Sequence, residues 1–100
     1  MRIPVEISLS NGLLVVSPNP VRVNPGDTVH WTSHDGDLMV EFASQNNPFD
    51  GQRQFSGARG LATPHGTVRS DLPSGTHFSC TITVGGTVFQ NAYGVEGPGS

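Results

Sequence analysis

Residues 77–90 read HFSCTITVGGTVFQ. Phe78, Cys80, Ile82 and Val84 alternate with His77, Ser79, Thr81 and Thr83. A period of two places the first set on one face of a β-strand and the second set on the other. Gly85-Gly86 is a two-residue hairpin signal, and Thr87 to Gln90 pairs back along the same strand. A long strand with one apolar face needs a second sheet to cover that face.

The rest of the chain supplies one. Upstream, Asp71-Leu72-Pro73-Ser74-Gly75 reads as a turn and Thr67 to Ser70 as a short strand. Leu38, Val40 and Phe42 alternate with Met39 and Glu41. Val29 and Trp31 share one face of a strand over Thr28–Thr32, with His30 on the other. Pro25-Gly26-Asp27 turns the chain after Val21 and Val23. At the N-terminal end Ile3, Val5, Ile7 and Leu9 alternate with Arg2, Pro4, Glu6 and Ser8, and Asn11-Gly12 is a hairpin turn. Leu13 to Val16 is a continuous apolar run, which reads as a strand buried on both faces, ended by Ser17-Pro18-Asn19-Pro20. Tyr93 and Val95 indicate a last edge strand. Ser44 to Gly66 keeps neither period; it reads as a long loop with a short helix near Gln52–Phe55. About seven or eight short strands at turn-signalled intervals imply an all-β fold, a small antiparallel β-sandwich. It occupies residues 1–97 as a single domain, with 98–100 a tail.

Composition agrees and narrows the function. Gly (13) and Pro (8) punctuate a chain containing eleven Val, eight Thr and three Ile. Lysine is absent; five Arg face eight acids, for a net charge of −3. That balance argues against nucleic acid, whose binders release counterions with a basic patch. It argues equally against a polybasic membrane anchor, and no apolar run reaches the roughly 20 residues that span a bilayer. One cysteine excludes an internal disulfide framework. The opening residues MRIPVEISLS carry no signal peptide. The chain as it stands reads as cytoplasmic; removal of a leader would instead place it in the periplasm or outside the cell.

Three segments in order carry a family likeness: Asn24-Pro25-Gly26-Asp27-Thr28-Val29-His30-Trp31, then Asp37-Leu38-Met39-Val40-Glu41-Phe42, then Pro73-Ser74-Gly75-Thr76-His77-Phe78-Ser79-Cys80. They are similar to the "PGDTVxW", "HxVxF" and "PGTYxYxC" patterns of the cupredoxins, the plastocyanin- and azurin-type β-sandwiches, over roughly residues 13–90. The resemblance implies Greek-key topology and a type 1 copper centre of two His, one Cys and an axial Met. Residue by residue, the copper set is incomplete. Leu38 stands at the first His position. Thr81 to Gly86 follow Cys80 where the second His belongs, and no Met follows Cys80. The expected scaffold is therefore cupredoxin-like and copper-free, with no cofactor, and Cys80 is a small buried hydrophobe.

Other candidate groups in the chain have simpler roles. His34-Asp35-Gly36-Asp37 gathers two carboxylates and an imidazole, but an Asp-Gly turn uses such carboxylates to accept backbone N–H bonds. No nucleophile elbow, phosphate loop or metalloprotease helix occurs, so the chain reads as non-enzymatic. The long loop offers Phe49, Arg53, Phe55, Arg59 and His65, and aromatics and Arg dominate interface energetics. The alternative places Phe49 and Phe55 in the core and the Arg in water. These residues lead to a binding or interaction module for a protein partner or for self-association. Two other functions stand beside it: a divergent copper-binding electron-transfer protein using Cys80 with His34, His65 or His77, and a structural subunit of a homo-oligomeric assembly.

Overall fold

The structure is a computed structural model that describes residues 1–73 and 75–98, with backbone alone for 91–93. The described chain is all-β. Its strands are β1 (Arg2–Ser10), β2 (Leu13–Ser17), β3 (Val21–Arg22), β4 (Thr28–Ser33), β5 (Leu38–Phe42), β6 (Gln54–Gly57), β7 (Gly66–Thr67), β8 (His77–Val84) and β9 (Thr87–Glu96). They form a sandwich of two sheets, one ordered β2-β1-β4-β7 and the other β3-β9-β8-β5-β6.

Turn chemistry fixes the hairpins. Asn11 and Gly12 have φ of 52° and 79°, and Gly85 and Gly86 have 56° and 89°. Two successive positive φ values match the right-handed twist of the flanking strands, so β1–β2 and β8–β9 close tightly. At Pro25-Gly26 the Asp27 N–H donates to the Asn24 carbonyl at 3.0 Å while Gly26 takes φ 89°. The buried Asp27 carboxylate accepts the Asn24 N–H at 2.9 Å and so locks this turn.

The alternating apolar positions face inward as expected. Val5 and Ile7 of β1 and Val29 and Trp31 of β4 pack against Leu38, Val40 and Phe42 of β5 and the inward row of β8. Trp31 is fully buried, with Phe55 at 4.8 Å, Phe49 at 5.5 Å and Phe42 at 6.3 Å between ring centroids. Tilted and edge-on aromatic pairs of this kind add about 0.5–1.5 kcal/mol each beyond their buried area.

Five details differ from the sequence expectations. The sheets are mixed rather than purely antiparallel: β1 runs parallel to β4, and β3 to β9. Parallel neighbours need a crossover, and here the chain reaches β4 from β2 by way of β3 in the other sheet. Gln52–Phe55 is not helical; Gln54–Gly57 is strand β6, paired to β5. The Thr67–Ser70 strand reduces to Gly66–Thr67 plus a bridge between Phe49 and Val68. Val95 belongs not to an edge strand but to ten-residue β9, which lies between β3 and β8. Finally, Leu13–Val16 is not covered on both faces. The Tyr93 side chain, Ser74 of the third family-like segment and residues 99–100 of the tail lie outside the described residues.

Candidate interaction surface

The Cys80 side chain decides the metal question first. Strand β8 runs through it without interruption, placing Cys80 opposite Phe42 and Val84 opposite Leu38. The position matching the first copper His is thus four residues along β5 from the Cys80 level, roughly 13 Å at the rise of a β-strand. Beyond Val84 comes only the Gly85-Gly86 turn, not a ligand-bearing loop. A Cβ on Gly36 would lie 2.8 Å from Gly85 backbone atoms, so the turn before β5 and the β8–β9 turn are in close approach. Cys80 is 2% exposed, and burial pushes its thiol up to about 12. The thiolate that a copper ion needs is therefore disfavoured.

The three histidines considered with Cys80 are not brought to it. His77 points outward from the start of β8, with Nδ1 3.6 Å from Glu96. His34 lies exposed in the turn after β4, and exposed His65 packs on His30. Among the described residues, no three His, Cys, Asp or Glu side chains gather where a metal would sit. The residues present do not fit a type 1 copper centre.

The His34–Asp37 turn spends its carboxylates on the backbone. Asp35 Oδ2 accepts the Leu9 N–H at 2.9 Å, and Asp37 Oδ1 accepts the Arg59 N–H at 3.0 Å. Arg59 Nε donates to the His34 carbonyl at 2.9 Å. These bonds knit three chain segments together.

The five long-loop residues are placed on separate parts of the molecule. Phe49 and Phe55 are each 1% exposed, with rings 5.2 Å apart, and present no surface. Arg53 Nη1 donates to Glu41 Oε2 at 3.2 Å at the β6 edge. Arg59 lies at the turn end of the sandwich. His65 stands on the outer face of the first sheet, its ring 4.9 Å from that of His30 and perpendicular to it. The loop is therefore a packed segment that contributes two core aromatics, with its polar residues facing three ways. An open groove of about 460 Å³ on the outer face of the second sheet is lined by Met39, Ser56, Ala58 and Thr83. It contains no aromatic anchor.

The surface that stands out is strand β2. Leu13 is 70% and Val15 45% exposed, while Leu14 and Val16 are half-buried against the core. In its sheet β2 has β1 as its one hydrogen-bonded neighbour; β9 comes near it, but no ladder joins the two among the described residues. Edge strands usually carry Lys, an inward charge, a bulge or Pro that blocks further pairing. Leu13–Ser17 has none of these; the prolines come only at positions 18 and 20. The sequence signal for this site was the Leu13–Val16 run itself, which reads as interior until its neighbours are known.

No protein-family model matches the chain, and no curated protein matches it in sequence.

Proposed function

We propose that this protein is a non-enzymatic interaction module on a copper-free, cupredoxin-like Greek-key scaffold, joined to its partner through the β2 edge. The observation that carries this reading is the uncharged edge strand with Leu13 and Val15 in solvent. A strand added there gains backbone hydrogen bonds and buries apolar side chains on both faces. The scaffold part rests on the three family-like segments. They fall on the turn into β4, on β5 and on the start of β8, and β5 and β8 are hydrogen-bonded neighbours. A first-His strand beside a Cys strand is what a type 1 centre would require, and here that framework lacks the ligands.

The partner we assign is a second copy, which makes the protein a subunit of a homo-oligomer. Antiparallel pairing of two β2 strands about Val15 sets Leu14 beside Val16 and Leu13 beside Ser17. A two-fold interface must complement itself, and a strand without charge opposes no like charges across that axis.

Light scattering coupled to size-exclusion chromatography tests this directly. Dimer mass is expected for the wild type, and monomer mass for Val15→Lys with an unchanged circular dichroism spectrum. A wild type that stays monomeric up to about 1 mM, equivalent to a binding free energy weaker than about 4 kcal/mol, overturns self-association. Adding Cu(II) is expected to give no intense visible thiolate-to-copper absorption; such a band would restore the electron-transfer reading.

A further inference from the structure

We infer that the contact between His30 and His65 is an acid-sensitive latch that holds the 58–66 segment against β4. β4 is covered along both edges. One of its edges pairs with β1, and the other is capped by this segment. Thr63 donates its N–H to the Trp31 carbonyl at 2.8 Å, and Thr63 Oγ1 accepts the Trp31 N–H at 3.1 Å. Gly60 donates to the Ser33 carbonyl at 2.7 Å. Just beyond Thr63, the His65 ring stands edge-on to that of His30 at 4.9 Å.

His30 is poorly prepared to take a proton. Its Nδ1 is buried and finds no hydrogen-bond partner among the described residues. An imidazolium donates from both nitrogens, so charging it would leave a buried N–H unsatisfied. Burial first, then His65 and Arg2, hold His30 below the ordinary 6.5, and Glu6 acts in the opposite direction. Arg2 and Glu6 come from β1 and His65 from the segment itself; β7, Gly66–Thr67, brings no titratable side chain.

A histidine with a lowered pKa in the closed form takes up its proton when the segment opens. The closed form is fully favoured above 6.5 and loses that advantage as pH falls below it, until the closed form's own pKa is reached. Once charged, His30 faces the His65 ring and Arg2 with only the Glu6 carboxylate to offset them. Opening uncovers the Trp31 N–H and C=O, which are edge groups of a second strand.

Amide hydrogen exchange by NMR tests the latch, read as protection factors at about pH 7.5 and about pH 5. The Gly60 and Thr63 amides are expected to lose protection about tenfold at the lower pH relative to core amides such as Ile82, a change of about 1.4 kcal/mol. In His30→Gln, which keeps polarity without a titrating ring, the acid loss is expected to vanish. Should that variant fail to fold, His65→Gln at the exposed ring is read instead, where the loss shrinks and the His30 ring protons titrate at higher pH. Unchanged protection in the wild type, or an undiminished loss in the variant read, overturns the proposal. The oligomer-mass measurement is independent of this result.

Discussion

Strand β2 and the 44–66 segment make opposite use of their residues. β2 is the most continuous apolar run in the chain, yet Leu13 and Val15 are in water. The 44–66 segment is rich in Gly and polar residues, yet its Phe49 and Phe55 are among the most buried side chains in the molecule. β2 and β6 are both edge strands, so the difference lies in which side chains face the other sheet. β2 follows β1 in a hairpin and the chain then leaves for the other sheet, so Leu13 and Val15 stay in solvent and one edge has no hydrogen-bonded strand. Phe55 sits on β6, packed into the sandwich, and Phe49 is pinned beside Val68 by a β-bridge and by the Asn47 Oδ1 that accepts its N–H at 3.1 Å. Apolar content sets what burial is worth; position in the topology sets whether burial occurs.

The most direct way to break this contrast is truncation. Phe55→Ala is expected to cost about 3–5 kcal/mol in urea denaturation. Val15→Ala should stay within about 0.5 kcal/mol. Equal losses would remove the distinction between the two regions.

Gly66 sharpens it from the other side. A Cβ there would lie 2.7 Å from Phe55 and 2.9 Å from Phe49 ring atoms. Gly66→Ala is expected to destabilise by about 1–3 kcal/mol through overpacking. A neutral result would mean that the aromatic cluster can shift, unlike a close-packed core.

Cys80 reports on the same interior through pH. Its folded pKa is raised from 9.0 to about 12 by burial. The thiol's contribution is therefore complete below pH 9 and is lost as pH rises through the interval up to about 12, at about 1.4 kcal/mol per unit. Denaturation of the wild type and of Cys80→Ala at pH 8 and at about pH 10 should diverge by about that amount. Parallel losses in the two proteins would place the thiol in contact with solvent.

The smallest effect belongs to the segment's polar surface. The Arg53–Glu41 pair is about two-fifths exposed on both sides. Arg53→Ala should cost no more than about 1 kcal/mol, and less in high salt. A larger loss would mean that the outer side of the segment also anchors the fold.

Much of this fold was legible in the residues. The alternations over 2–9, 28–32, 38–42 and 78–84 gave strands with the correct inward faces, because a strand's side chains repeat every two residues. Asn11-Gly12 and Gly85-Gly86 gave hairpins because few residue pairs accept two positive φ values. β6 escaped notice because four residues with one inward Phe leave too little pattern to count. The candidate site was half legible. Leu13–Val16 announced itself as a strand, but its exposure depends on which strand lies beside it. Phe49, Arg53, Phe55, Arg59 and His65 are close in sequence, and the chain path disperses them.

Local chemistry therefore determined most of the strands, their inward faces and the hairpin turns, since each depends on residues within a few positions of one another. Tertiary structure alone decided the two parallel pairings, the exposed edge at β2, the burial of the loop aromatics and the meeting of His30 with His65. Those outcomes depend on which distant segments become neighbours, and that is settled by the whole chain covering its apolar faces together.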